Sequence, residues 1–598
     1  MTTKIEKMSR IPIPYFEGVN TLVGSNIAKK EEFEYVANAR SKTIGTIEKR
    51  EGTRRLGNII TATGNYGLFF FENNNGVNTG FFRISTVAAV TTIYYLKTDA
   101  TWTPLTAEGT NLSAAQFSST IAEGCCFLVN NTDANRYIES DGSTVVTSAV
   151  ATGHLYGSPK ANKINYYKDR LYLGDYTATT RYKNGIMMSS KPLGIVALVD
   201  GDHANIAADS EIKVTDLKYI HSTDTLDVYR GGTKIADITI DAKNADANTI
   251  TINTVTMAFG TDFKSADEIW VDGTYTGAKK LRWADNPSSG IDVQVYDTLK
   301  LTGGQNDRIT MMTNINDVMV IGNKSSLSVW NDYNLRNIDI GVGCVSDRGY
   351  DKAFGKLYFV DYTGLYSFSG EGLPKLESAK IQKYFDGATK AGLEASAVGK
   401  QGMSIFVAIG DVTLYKADGS IDRELDDVVL ELNLRQNNWF VHTGLKVEQF
   451  ATYNKSSIVD RLEFASSESN YPIFELFNGF VDDDVSNPRE ILMEVVTPPI
   501  TLNKNFENFS YPTRIIVETE RGSNLKCFIA LDNGDPYEIK GDIKKGCTIL
   551  KVTKRNDDTS EPPRCKQIKL FLKDYSTQLC KISRIAIEAL ITNEEELP

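Results

Sequence analysis

The chain has 598 residues, 41% hydrophobic and 24% charged, which is the usage of globular proteins and excludes collagen, coiled coil and wholesale disorder. At ~100 to 200 residues per domain, this length predicts about three to five domains. Lys and Arg number 65 against 76 Asp and Glu, so the formal net charge is −11, which argues against a protein that grips DNA through a generally basic face.

In chain order, the opening MTTKIEKMSRIPIP has no apolar signal core, and no run approaches the ~18 apolar residues of a membrane helix, so neither secretion nor a spanning helix is expected. A helical pattern at 31–40, EEFEYVANAR, leads into a basic block: Arg40, Lys42, Lys49, Arg50, Arg54 and Arg55 place six cations in sixteen residues. In an acidic chain this block reads equally as a solvated face or as a contact onto the acidic body of another subunit. Lys49, Arg50, Arg54 and Arg55 are therefore the candidate interface residues. Nucleic-acid binding ranks third, because no aromatic row is interleaved for base stacking.

Beyond the block, short runs rich in Val, Ile, Tyr and Phe recur between Gly, Asn and Asp turns, which predicts an all-β protein. Seven clusters share one pattern of apolar strand, polar turn and aromatic-bearing strand. They begin at Gly67, Cys125, Asp169, Asp317, Gly355, Met403 and Arg461. Each reads as the inner hairpin of a propeller blade, giving six to eight irregular blades. Gly355 follows Asp317 by 38 residues but Asp317 follows Asp169 by 148, so something is inserted between the third and fourth clusters. Residues 199–290 supply it, with EIKVTDL, TLDVYRGG, KIADITI, NTITINTV and EIWVDG forming a small β-domain. A second helical pattern, SAKIQKYFDG at 378–387, reads as a connector. From about Ile491, alternating runs such as RIIVET, LKCFIAL and IKLFLK predict a terminal β-sandwich. The expected division is thus 1–60 N-terminal arm with the first propeller strand, 61–198 and 291–490 propeller, 199–290 insert and 491–598 sandwich.

The chemistry is sparse. Seven cysteines (Cys125, Cys126, Cys344, Cys527, Cys547, Cys565 and Cys580) form no C-x-x-C pair and read as core packing, and four scattered histidines (His154, His203, His221, His442) make a zinc site improbable. The nucleophile-elbow, zincin, P-loop and dinucleotide motifs are absent from the sequence. Asp175, Asp297 and Asp361 sit beside aromatics at strand ends, where a glycosidase could place an acid and a base, although turn residues are the commoner reading. Asp482, Asp483 and Asp484, and the segment DGSIDRELDD at 418–427, are oxygen-rich but read as solvated loops rather than calcium cradles. No cofactor and no metal are expected, and no enzyme activity.

The order of these pieces resembles the β-propeller tail proteins of short-tailed bacteriophages, known as nozzle, tail tubular protein B or stabilisation proteins. The resemblance rests first on Glu17, Gly18, Val19, Asn20 and Thr21, then Asn38, then Glu48, Lys49, Arg50, Glu51 and Gly52, which are similar to that family's G-[GV]-[IV]-[NS] turn, Asn and K-R-x-G step. It continues through Asp169, Arg170 and Leu171, then Met187, Met188, Ser189 and Ser190, then 291–293, 316–321, 328–330, 355–359 and 366–368. It covers roughly residues 15–480, and this chain is shorter than typical nozzle members. The resemblance implies a virion tail protein, made in the host cytoplasm. It would form a homo-hexameric ring attached to an adaptor ring below the portal, with tail fibres at its side and genomic DNA leaving through its lumen. A propeller glycoside hydrolase or lyase, and a monomeric protein-binding propeller, are the alternatives.

Overall fold

The strand Cys125–Val129 is buried at all five positions, and its packing shows why so many strands here are continuously apolar rather than alternating. Cys125, Phe127 and Val129 pack against the sheet that follows, while Cys126 and Leu128 pack against the sheet that precedes. A strand covered on both faces needs an apolar residue at every step. The computed structural model describes the chain apart from residues 1–6, 14–15, 22–28, 30–31, 74–75, 77, 106, 151–153, 156, 178–180, 190–194, 223, 274, 276–280, 282, 284–297, 301–306, 339–340, 454–460, 484–487, 504–507, 522–523, 533, 555–560 and 592–598.

Seven sheets share one plan, four antiparallel strands hydrogen-bonded in sequential order. Blade 1 runs from Ala62–Phe70 to Trp102–Pro104, blade 2 from Ser118–Ala122 to Val145–Thr147, and blade 3 starts at Lys160–Tyr167 and takes Thr298–Lys300 as its fourth strand. Blade 4 spans Ile309–Ile315 to Leu335–Ile338, blade 5 Tyr350–Ala353 to Lys375–Leu376, and blade 6 Ala397–Gln401 to Asn438–His442. Blade 7 has Val447–Tyr453, Arg461–Ser466 and Ile473–Leu476, and its fourth strand is Thr53–Arg55 from the N-terminal segment. Each of the seven sequence clusters falls in its own blade, and six of them open the second strand, which is flanked on both sides. The fold is an all-β propeller, with seven four-stranded blades among the described residues, an inserted β-domain and a C-terminal β-sandwich.

These elements lie in two compact units. One, 60–345 with 369–373, holds blades 1 to 4 and the insert; the other, 1–59 with 346–368 and 374–598, holds blades 5 to 7, the sandwich and the N-terminal segment. Within the first unit, successive blades bury shared cores, for example Phe82 with Leu128 between blades 1 and 2 and Tyr172 with Ile321 between blades 3 and 4. In the second, Phe406 and Phe464 share a core between blades 6 and 7.

The insert leaves blade 3 after Arg181–Met188 and returns at Thr298–Lys300. It is a six-stranded sheet from Ile195–Leu198 to Glu268–Val271 with its own core, centred on Ile212, Leu226, Val228 and Ile269. The limit at 290 read from the sequence is too long, because Leu281 and Trp283 are fully buried in the core shared by blades 2 and 3. Replacing 195–272 by a short linker is expected to leave cooperative thermal unfolding intact. Removing 199–290 takes Trp283 as well, at about 3 to 5 kcal/mol, and near-ultraviolet circular dichroism should show its tertiary signal weakened. Equal behaviour of the two deletions would refute this boundary.

The sandwich is not built from the C-terminal residues alone. Ser510–Arg521 and Lys581–Ile591 form the middle of one sheet, whose other strands include Lys7–Ile13, Ala39–Arg40 and Ile47–Lys49. Gln567–Asp574 is central to the other sheet, which Tyr35–Ala37 joins through Met493–Val496. The helix expected over 31–40 is therefore absent. Its apolar positions Tyr35, Val36, Ala37 and Ala39 are all buried by strand pairing, and Asn38 breaks the run at φ 53°. A short apolar run carries no decisive period, so tertiary pairing settles it. The segment 378–387 is helical, a 3₁₀ turn over Ser378–Ile381 followed by an α-helix over Gln382–Gly387.

Candidate functional site

The basic block forms a set of joints between the N-terminal segment and its neighbours in the same unit. Lys49 extends the strand Ile47–Lys49 into the sandwich, where its ammonium, 1% exposed, lies 3.0 Å from Asp574 Oδ2 and also donates to the Ser576 carbonyl. Arg50, also 1% exposed, grips Asp482 with two bonds, Nη1 to Oδ1 at 2.8 Å and Nη2 to Oδ2 at 2.5 Å. Its Nε donates to Asn38 Oδ1 at 2.8 Å, and the Asn38 amide donates onward to Thr443 and Leu492. Arg55 pairs with Asp483 at 3.0 Å beneath blade 7's edge strand.

The block is thus not the subunit contact expected for Lys49 and Arg50, since neither side chain reaches the surface. Arg55 is mostly buried as well. Arg54 alone of the four candidates is exposed. The correction has a simple cause: charge in a sequence says nothing about burial when Lys49, Arg50 and Arg55 each have their carboxylate hundreds of residues away. The same pairing corrects the reading of 482–484 as a solvated loop. Asp482 and Asp483 are buried counter-ions, and Asp484 lies outside the described residues.

Glycines complete the joints. A side chain on Gly52 would place Cβ 1.9 Å from the Val481 carbonyl oxygen, and one on Gly18, at φ +78°, would meet the Trp439 carbonyl at 2.5 Å. Both approaches are locked by backbone bonds, Gly52 N to Gly479 O at 3.1 Å and Val19 N to Trp439 O at 2.9 Å. Only glycine permits such contact.

Arg40 turns to blade 6, pairing with Glu431 at 2.7 Å and stacking 3.9 Å from the Phe477 ring centroid. His442 Nε2 lies 3.0 Å from Glu431 Oε2, and Ser404 Oγ donates to Oε1 at 2.7 Å. Burial alone would push the Glu431 carboxyl up, but Arg40, His442 and Ser404 together hold it at about 2. Burial pushes the His442 imidazole down. Ser, His and Glu meet here without the order of a nucleophilic triad, because the serine and the histidine both bind the glutamate and all three are buried.

The remaining candidates are engaged in local structure. Asp175, fully buried, is held bidentately by Arg181 at 2.7 and 2.6 Å. Asp361 accepts the N–H and hydroxyl of Thr363, an Asx turn, and Asp418 does the same for Ser420. Asp297, Ser190 and 291–293 lie outside the described residues. Six cysteines are buried and Cys547 is exposed, so core packing does not describe that one. Among the described residues one trio could approach a metal, Asp227, Asp237 and Asp272 on the insert, whose ligand atoms lie within 4.8 Å of one another. The Lys234 ammonium already sits there, 2.9 Å from Asp227 and paired with Asp237. The chain supplies its own cation.

Fold and site together define a class: an all-β protein of propeller blades and a terminal sandwich, whose N-terminal segment is sewn into both by buried ion pairs and close glycine contacts. Among known proteins, no family model and no curated sequence matches the chain. Solved structures that resemble it include YCF48 bound to D1 peptide, at 9% identity over 76% of this chain and 100% of that one, with a TM-score of 0.32. Sqt1 of Saccharomyces cerevisiae (8% identity, 74% and 100% coverage) and YCF48 from Cyanidioschyzon merolae (10%, 71% and 98%) have the same TM-score, 0.32. Likeness at this level carries no inference about function.

Proposed function

We propose that this chain is a structural protein of a short bacteriophage tail, of the nozzle type, forming a homo-hexameric ring that conducts genomic DNA without binding or cutting it. One observation supports this reading. Of the residues that carry the resemblance in the N-terminal segment, Gly18, Asn38, Lys49, Arg50 and Gly52 are joints of the fold, as a shared architecture requires. The charge is also compatible: six copies at −11 carry six times that, a formal −66, and an acidic lumen repels phosphate instead of holding it. An adaptor ring below the portal and tail fibres at the side are the partners this reading implies.

The hydrolase or lyase alternative gains nothing from Asp175 and Asp361, two of the three aspartates that prompted it, which are tied to Arg181 and to Thr363. The test is negative-stain imaging of the purified chain with fluorescence anisotropy on a labelled DNA duplex at physiological salt. Six-fold rings with no measurable duplex affinity are expected. A monomer in solution would favour a protein-binding propeller, and tight duplex binding would overturn the conduit.

A further inference from the structure

The sandwich sheet that takes up Lys7–Ile13 departs from the usual pattern on its face away from the core. An antiparallel sheet covered on one side is expected to be polar on the other. Here the register instead sets Pro12, Ala586, Ile516 and Ile549, from four adjacent strands, in one cross-strand row on the outer face. Pro12 is exposed and Ile549, on the edge strand Gly546–Lys551, is 57% exposed. Two residues along the strands the same register makes a second row, Arg10, Glu588, Arg514 and Lys551. Arg514 reaches Glu588 at 3.6 Å, whereas Arg10 and Lys551 are exposed with no ion-pair partner among the described residues. Lys551 stands directly opposite Arg514, and like charges so placed repel. The row holds three cations to one carboxylate.

The same unit carries the opposite pattern on the long hairpin of blade 6, Ser404–Tyr415 with Ile421–Asn433. Its blade neighbours pair only with its base, Ala397–Gln401 as far as Ala408 and Asn438–His442 from Val429 onward, so the outer half projects past them as an arm. One face of the arm buries Val412, Leu414 and Leu425. On the other, Tyr415 pairs with Ile421 at the tip, both exposed; Thr413 then pairs with Glu424, and Asp411 and Asp426 follow a step nearer the blade. Glu424 and Asp426 are exposed and have no ion-pair partner among the described residues. Arm and sandwich thus each present an apolar row and, two residues or about 6.8 Å along the strands, a charged row. The charges are of opposite sign.

We propose that these two faces dock on each other between copies of the chain, the arm of one lying on the sandwich sheet of the next. Tyr415 and Ile421 meet Pro12 and Ile549, while Glu424 and Asp426 meet Arg10 and Lys551. Both faces are exposed in a single chain, so the contact that matches them is intermolecular. Joining two different surfaces gives a heterologous contact, which repeats head to tail and closes into a ring when the rotation per step allows. The inference deepens the ring of the proposed function and rests on that reading for closure alone; the pairing of arm with sandwich stands on the two registers.

Two charge-reversed variants of the full-length chain and their mixture test the contact by mass photometry and negative-stain imaging. The sandwich variant carries Arg10→Glu and Lys551→Glu, the arm variant Glu424→Lys and Asp426→Lys. Each alone sets like charge against like and should self-associate on the order of a hundredfold more weakly than the parent, with thermal unfolding unchanged because none of the four side chains has an ion-pair partner in the fold. An equimolar mixture should assemble again, since the unaltered arm of the first variant fits the unaltered sandwich of the second and their two reversed faces fit each other. Misfolded variants could not produce that recovery. A parent that forms six-fold rings, with either variant assembling like it or with the mixture failing to assemble, would overturn the contact and leave the ring standing. Recovery in the mixture as dimers or open chains would support the contact and overturn the hexamer. A parent that stays monomeric would overturn both.

Discussion

Arg50→Met is expected to destabilise the protein by about 3 to 5 kcal/mol, the usual cost of stranding one member of a buried ion pair. The substitution removes both bonds to Asp482 and the bond to Asn38, and it leaves a carboxylate with 7% side-chain exposure facing no cation of comparable geometry. Desolvation makes the loss much larger than for a surface pair, where about 0 to 1 kcal/mol is typical. The matching change Asp482→Leu should be comparably harmful alone. The two combined should recover a large part, since an apolar pair of similar volume no longer buries an unmatched charge. Urea unfolding of the four proteins, read as a double-mutant cycle, gives the coupling. Arg54→Gln, at an exposed position of the following strand Thr53–Arg55, serves as the control and should stay within about 1 kcal/mol, the range of a surface charge. A small effect of Arg50→Met on stability, with a salt-sensitive loss of oligomers instead, would return Arg50 to an interface role.

How the sequence exposed the fold follows from where the blade strands lie. The second strand of a blade is covered on both faces, so it prints a continuous apolar run such as Lys356–Asp361, buried at five of its six positions. Those runs are what made seven blades legible. The N-terminal strands were opaque for the opposite reason. Tyr35–Ala37 and Ala39–Arg40 are too short to show a period of two, and their partners Met493–Val496 and Ile47–Lys49 are fixed only by tertiary structure. The joints were half legible. The K-R-x-G step marked the right residues, but Asp482 and Asp574, 432 and 525 positions away, could not be matched to Arg50 and Lys49 by spacing.

Glu463→Gln is expected to stabilise the protein at alkaline pH by on the order of 2 to 4 kcal/mol and to flatten its pH dependence. Glu463 lies on the covered second strand of blade 7, is 2% exposed, and leaves Oε2 without a hydrogen-bond partner. Its cross-strand neighbour is Glu475, whose own carboxylate is served by Asn478 at 2.8 Å and by Arg461 at 3.5 Å. On the far side of Glu475 in the same row stands Arg54 of the N-terminal strand. Burial, and then Glu475, push the Glu463 carboxyl up to about 8, against the pull of Arg461. In the unfolded chain it ionises near its ordinary ~4.3. Between these values the unfolded state binds fewer protons than the folded one, so stability falls as pH rises from about 4.3 toward 8. Glutamine keeps the shape without the proton to lose. Glu431 works in the opposite direction. Its carboxyl, held at about 2, contributes stability that is present above ~4.5 and lost as pH falls toward 2. Blades 6 and 7 therefore set opposing limbs of one stability curve. Glu463→Gln should lift only the alkaline limb, as read by thermal unfolding at pH 5, 6.5 and 8. A parallel shift at all three values would mean that packing, and not the buried proton, accounts for the change.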